Sequence, residues 1–410
     1  MPLPRIRPGL TFGAVCLAAF LLCWLALAQA TQRPSLLFVA EADLQRAKVA
    51  LAAGDPALAP ARGQLREECA EAMVVGRLTV TDKKLPSPSA DPRDYVSRAP
   101  YWWPDPDKPD GLPPIRKDGE VHPDAQKGDV RTFEKLADAV GTLALGYALT
   151  GEEERAAKAA GLLRTFFLDP ATAMRPHLRY GQLVPGQVEG SGFGLIDLRR
   201  LPEVCDAASL LVGSQAWSAQ DLDGLRAWMD AYLDWLLASP QGRQAREAAN
   251  NHGTWYDVQA AGLALFCGRD DVARATLARF PARLAAQVRP DGEQPLELAR
   301  TRSLSYSLSN LEGLFRLMEL GDRLGLDLWA LTPAEAGTPR KALEYLLPYL
   351  GDRAPWPGRQ ITPVGHSQGI ALMLRLAAVH YSPAYDAELT AVFGKKAAKR
   401  RIWLLYPPAQ

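Results

Sequence analysis

The sequence predicts an all-α chain built of paired helices, an α/α toroid in incomplete or closed form, and three observations carry that prediction. Ala/Leu-rich stretches with apolar residues at helical spacing recur from about Phe133 to the C-terminus, the period of amphipathic helices rather than of strands. Strand signals are few and short, while turns such as Thr150-Gly151 separate successive helical stretches as they do in helical hairpins. No crisp repeat period runs through the chain, which disfavours tetratricopeptide or HEAT arrays. Hairpins with short outer turns and longer inner loops suit a toroid.

The first thirty residues stand apart. Arg5 and Arg7 precede an apolar run from Leu10 to Leu27 that ends in Ala28-Gln29-Ala30, which reads as a secretory signal peptide over residues 1–30. An uncleaved membrane anchor is the alternative. The small-x-small ending favours cleavage, giving a periplasmic or secreted protein without stable membrane association. Cys16 and Cys23 would leave with the signal, and Leu22 before Cys23 spoils a lipobox. Cys69, Cys205 and Cys267 remain, with no CxxC among them, and read as buried free thiols.

The chain of 410 residues is 48% hydrophobic and 23% charged, enough to bury a large core without a metal or disulfide staple. No low-complexity linker splits residues 31–410, so one domain is expected. With 47 Lys+Arg against 46 Asp+Glu and no basic patch interleaved with aromatics, nucleic acid is not an expected partner. The basic tail Lys395 to Arg401 reads as a solvated face.

Along the chain, Glu41 to Glu71 has helical character, whereas Pro86 to Asp129 is dense in Pro, Gly, Asp and aromatics and lacks either regular period. A long ordered loop of that kind is expected to wall a binding cleft. Thr132 to Tyr147 and Glu152 to Phe167 form a predicted hairpin. Ser218 to Leu237 is a clear amphipathic helix, capped by Ser218 with Asp221 three residues on. Further helices are expected at Thr254 to Phe266, Asp271 to Val288, Leu308 to Leu324, Ala342 to Tyr349 and Gln368 to Val379.

Two polar clusters interrupt this apolar pattern. Asn250-Asn251-His252-Gly253-Thr254 opens one helix, and Glu297 to Tyr306, carrying Arg300 and Arg302, leads into another. Each has a plain structural explanation: an Asn caps the helix beside a surface histidine, and Arg300 pairs with Glu297. Together they fit one chemistry. Removing a proton alpha to a carboxylate is hard because the group is already negative, so donors or cations must offset that charge first. Asn251, His252 and Arg300 supply them. A tyrosine, with an ordinary pKa of about 10, becomes a usable base beside a guanidinium, and its phenol then protonates a leaving oxygen. Tyr306 near Arg300 answers that need.

Asn-Asn-His at 250–252 with the later Arg-x-Arg-x-x-x-Tyr ending at Tyr306 resembles the alginate lyase superfamily. Tyr101-Trp102-Trp103-Pro104-Asp105-Pro106, Arg116-Lys117-Asp118-Gly119, His122-Pro123 and His177-Leu178-Arg179-Tyr180-Gly181-Gln182 add to the likeness, which spans roughly residues 101–320. The resemblance implies a toroidal lyase acting on a uronate polysaccharide without metal or other cofactor. It implies that Asn251 and His252 neutralise the carboxylate, that Tyr306 is acid and base, and that an arginine assists, either Arg300 or Arg302, with Arg300 preferred. Asn250 could share the part given to Asn251. Tyr101, His122, His177 and Gln182 become subsite residues by resemblance only. Trp102 and Trp103 either stack on sugar faces or plug the loop against the core. His366 lies in Gly365-His366-Ser367-Gln368-Gly369, which lacks the register of a nucleophile elbow and leaves His366 for the cavity rim.

The expected activity is therefore β-elimination on a 1,4-linked uronate polymer, alginate or β-glucuronan. The alternatives are an inverting glycosidase on a similar toroid, for which Glu297, Asp257 and Asp291 are available, and a non-catalytic carbohydrate-binding protein.

Overall fold

A computed structural model describes residues 35–351, 353–364 and 368–408. The predicted signal over residues 1–30, its two cysteines and His366 lie outside the described residues. The helical expectation holds. Helices α1 (Glu41–Ala52) and α2 (Ala59–Met73) come first, then α3 (Val130–Thr150) and α4 (Glu153–Leu163), the last running on through a π-turn over Arg164–Leu168. Next come α5 (Leu201–Leu210), α6 (Ala219–Ala238), α7 (Pro240–Glu247) and α8 (Asn251–Phe266). The chain ends with α9 (Asp270–Leu277), α10 (Phe280–Gln287), α11 (Pro295–Leu298), α12 (Ser303–Asp322), α13 (Pro339–Leu346), α14 (Gln368–His380), α15 (Ala384–Phe393) and α16 (Ile402–Leu405).

The helices sort into two layers. Inner helices α3, α5, α8, α12 and α14 pack each on the next in chain order, while α2, α4, α6, α9, α13 and α15 pack outside them. Helix α8 shows why: along it every side chain except His252 and Leu265 is buried, and a helix buried on all sides is stable only between other helices. Burying one such Leu or Phe contributes about 1.5–3 kcal/mol. Outer helix α6 is amphipathic, with Leu222, Leu225, Met229, Tyr232, Leu233 and Leu236 inward, and Ser218 and Asp221 form its capping box. Gly151 ends α3 in the left-handed conformation at φ 74°, turning the chain into α4.

The chain's first described residues are held in the core. Leu37 and Phe38 backbone N–H groups donate to the Asp206 carboxylate at 2.5 and 3.1 Å, and the Tyr406 hydroxyl donates to the Phe38 carbonyl. Burial pushes Asp206 up to about 6 despite those two donors.

Four expectations need correction. The predicted helix 271–288 is two helices, because Pro281 has no N–H to donate back into α9. The helical stretch 41–71 is broken at Gly54-Asp55-Pro56, and α5, α7, α11, α15 and α16 lie outside the expected helices. Lys395, Lys396 and Lys399 of the basic tail are exposed as expected, and only at its end does Arg401 turn in, donating to Thr142 and pairing with Glu68. Cys69 and Cys205 are buried free thiols as expected, and Cys267 is half-buried.

Residues 86–129 are the predicted irregular segment. It holds β1 (Val96–Arg98), β2 (Trp102–Trp103) and β3 (Ile115–Arg116); β2 and β3 pair antiparallel, and β1 pairs in parallel with β4 (Tyr180–Leu183). Among the described residues no helix is long and apolar enough to cross a membrane.

Candidate active site

The starts of α8 and α12 open on one cavity of about 940 Å³, whose other walls come from within residues 98–102, 121–134 and 182–199, with Arg116 and Gln244. A buried amide network fixes the two helices in register beneath it. Asn310 of α12 donates to Gln287 and Gln294 at 3.2 and 2.9 Å, and the Thr254 hydroxyl of α8 lies 2.7 Å from Asn310 Oδ1. Such fully paired buried groups are costly to disturb.

Asn250 caps α8, its side chain accepting from the His252 N–H, so the plain capping role is real for that residue. Asn251 is different. It is 2% exposed and donates both its backbone N–H and its Nδ2 to Glu297, each at 2.8 Å. Glu297 is therefore Asn251's partner, not Arg300's as the sequence suggested, and burial raises its pKa. One Nδ2 hydrogen and the Oδ1 of Asn251 are left to face the cavity.

The His252 ring meets Phe193 edge-on at 4.7 Å, and its Nδ1 is buried with no hydrogen-bond partner. Burial, then the positive fields of Arg300 and Arg116, push it down to about 4. The ring is thus neutral at neutral pH, a hydrogen-bonding group and not a cation. Because its folded pKa lies below the ordinary 6.5, its contribution to stability is full above about 6.5 and is lost as pH falls toward 4. An NMR titration should give an imidazole midpoint near 4; a midpoint at or above 6.5 would contradict the burial described.

Tyr306 stands in the first turn of α12. Its hydroxyl is 2.6 Å from the Tyr101 hydroxyl, and the Arg300 guanidinium lies over its ring, 4.3 Å from the centroid. Burial and the Tyr101 contact raise the Tyr306 pKa above the ordinary phenol value, with Arg300 opposing. The net direction is opposite to the sequence expectation, so the phenol is the resting form. Arg300 is anchored by Asp118 at 2.6 Å. Arg302 lines the same cavity with its Nε buried and unpartnered.

The other expected residues divide. Tyr101, Trp102, Gln182 and Asn250 line the cavity, although Gln182 spends its Nε2 on Asp197. Trp103 and His122 instead pack on each other edge-on at 4.7 Å, Trp103 donating to the Glu120 carbonyl and His122 capping a short helical turn. His177 sits 3.3 Å from Asp94. None of these three lines the cavity. The sequence offered no site role for Arg98, Arg131 and Arg199 and showed Arg116 only within the likeness, yet all four join Arg300 and Arg302 on the wall, where Glu134 and Asp197 are the lining acids and Asp118 and Asp124 pair from behind with Arg116, Arg300 and Arg98. Scattered arginines carry no local signal.

Phe193 was also missed, though Gly190-Ser191-Gly192-Phe193-Gly194 marks it. A Cβ on Gly190 would lie 1.9 Å from the Gly181 carbonyl oxygen, on Gly192 2.5 Å from that of Gln241, and on Gly194 2.5 Å from Gly181. Only glycines let this segment lie against β4 and α7 and offer Phe193, 43% exposed, to the cavity. Gly190→Ala should cost about 2–3 kcal/mol, since the clash is with backbone that cannot swing aside. An unchanged melting temperature would refute the packing.

Among the described residues no group of three His, Cys, Asp or Glu is arranged to hold a metal.

The family model described as alginate lyase matches residues 79–356. In structure the chain is similar to an alginate lyase from Bacteroides ovatus, with 37% identity and a TM-score of 0.84 over 92% of this chain and 99% of that one. It shares the fold of alginate lyase A1-III from Sphingomonas species A1, at 15% identity and a TM-score of 0.57 over 93% and 98% of the two chains. A histidine-to-alanine variant of A1-III complexed with a tetrasaccharide aligns at 14% identity and a TM-score of 0.54, over 86% and 96%. No curated protein matches. With its helical layers, the cavity between α8 and α12 and these likenesses together, the chain belongs to the alginate lyase family and is a polysaccharide lyase.

Proposed function

We infer that this cavity cleaves a 1,4-linked uronate polysaccharide, alginate or β-glucuronan, by β-elimination, in a protein exported by residues 1–30 and working as one domain. The observation that carries the reading is the placement of Tyr306, under Arg300 and against Tyr101, in the same arginine-rich cavity as Asn251 and the unpartnered His252. An anionic sugar fits a wall that carries six arginines, four of them already paired with Asp118, Asp124 or Glu134 and Arg199 and Arg302 with no ion pair among the described residues. That relatives are alginate lyases, one of them captured with a tetrasaccharide, supports the same substrate class.

In the proposed reaction the uronate carboxylate rests against Asn251 and His252, which donate hydrogen bonds and stabilise the extra charge that develops when C5 loses its proton. Tyr306 first releases its own proton to solvent and then, as the phenolate, takes the C5 proton; the C4–C5 double bond forms as the C4–O bond breaks, and the Tyr306 phenol returns that proton to the leaving glycosidic oxygen, which regenerates the phenolate. Arg300 is the group that favours the phenolate. Because burial and Tyr101 favour the resting phenol, ionisation of Tyr306 precedes the first half of that cycle, and Arg300 lowers its cost. Mannuronate and glucuronate share configuration at C4 and C5, so both polymers present the same face to one tyrosine.

The glycosidase alternative needs two carboxylates flanking the bond. Asp257 is bound to Arg279 and Arg283, Glu297 is bound to Asn251, and neither they nor Asp291 line the cavity. Incubation of the purified protein with polymannuronate, polyguluronate, β-glucuronan and hyaluronan tests the reading. Ultraviolet absorbance of a conjugated enoate should rise on polymannuronate or β-glucuronan. New reducing ends without that absorbance would overturn it.

A further inference from the structure

Asp118 lies on the irregular segment, 182 residues from Arg300 in sequence, yet nearly everything around its carboxylate belongs to the Arg300 turn. Arg300 Nε lies 3.1 Å from both carboxylate oxygens and its Nη2 2.6 Å from Oδ1. The Thr301 N–H donates to Oδ2 at 3.0 Å, and the Thr301 hydroxyl lies 2.7 Å from the Asp118 carbonyl oxygen. Arg116 donates to Oδ1 at 2.8 Å. The close fit is built in: Gly119 follows at φ +75°, where a Cβ would stand 2.3 Å from the Thr301 hydroxyl. On the other side the same turn is pinned by Ile361, whose N–H donates to the Thr301 carbonyl at 3.0 Å.

A long arginine side chain loses substantial rotamer freedom when fixed, and a two-point carboxylate contact is the geometry that fixes a guanidinium plane. Asp118 occupies the Nε and Nη2 edge and leaves Nη1 free. The plane so held is the one that lies 4.3 Å from the centre of the Tyr306 ring. We propose that Asp118 is a positioning residue for the elimination: it holds the Arg300 guanidinium over Tyr306. This rests on the roles given to Tyr306 and Arg300 above. The two side chains also offset each other's charge at the phenol, Arg300 favouring and Asp118 disfavouring the phenolate, so Asp118 contributes orientation at some electrostatic cost.

The test is a variant set on the full chain. Asp118→Asn should lower kcat about 10–100-fold with KM little changed, as misplacement of one oriented group does. In an Arg300→Ala background the same substitution should cost nothing further, since the group it orients is gone. Thr301→Val, which removes the hydroxyl tie and leaves the guanidinium contact, should keep kcat within about 3-fold of the parent. An unchanged kcat in Asp118→Asn, an equal loss in the Arg300→Ala background, or a Thr301→Val variant as poor as Asp118→Asn would overturn the proposal. A crystal structure of Asp118→Asn reads the same claim without turnover. There the guanidinium should leave its place above Tyr306, and an undisplaced Arg300 would refute the positioning role. If the parent protein yields no enoate on any uronate polymer, the lyase chemistry fails by itself, and the crystal structure still decides what Asp118 does.

Discussion

Tyr306→Phe should lower kcat about a thousandfold, because one oxygen carries both proton transfers and each is ordinarily worth about 10²–10⁴-fold. The phenyl ring remains under the Arg300 guanidinium, and only the 2.6 Å hydroxyl contact with Tyr101 is lost. Packing and the arginine-lined wall therefore stay intact, and oligosaccharide affinity measured calorimetrically should change by less than about 3-fold. Loss of binding alongside turnover would point to a structural part for Tyr306. Turnover near that of the parent would remove it from the chemistry.

His252→Ala is the second large effect, expected to reduce kcat about 10²–10³-fold, the usual cost of one donor aimed at developing negative charge. The ring is neutral, so what disappears is a hydrogen-bonding group and the edge contact with Phe193 at 4.7 Å, not a cation. That distinction is measurable. If neutral donation is what matters, raising the ionic strength should not rescue or mimic the variant, since a lost cation would be partly masked by salt and a lost hydrogen bond would not. A variant with near-normal kcat would contradict the neutralising role.

The parts of this site that were legible in the sequence are those whose chemistry is local. Asn250, Asn251 and His252 stand out because three polar residues begin a helix that is otherwise buried nearly all round. Arg300 and Tyr306 fall together because they flank the start of α12. Helical layers followed from the 3.6-residue period, which needs no knowledge of neighbours. Partners were not legible. Asp118 reaches Arg300 across 182 residues, and Glu297, close to Arg300 in sequence, turns instead to Asn251. The same limit explains Trp103 and His122: aromatic residues next to a cleft in sequence packed on each other instead, and spacing alone does not say which face of a two-residue strand such as β2 points inward. The direction of the Tyr306 shift was misjudged because a guanidinium nearby is visible in sequence, whereas the burial that outweighs it is not.

The central claim is that the cavity breaks a C–O bond by elimination, and the masses of the products test it most directly. Oligosaccharides released from polymannuronate or β-glucuronan by the purified protein should sum to the mass of the parent chain, each new non-reducing end lacking one water and carrying the C4–C5 double bond. Products that together contain one added water per cleavage, with saturated ends, would show hydrolysis and contradict the account.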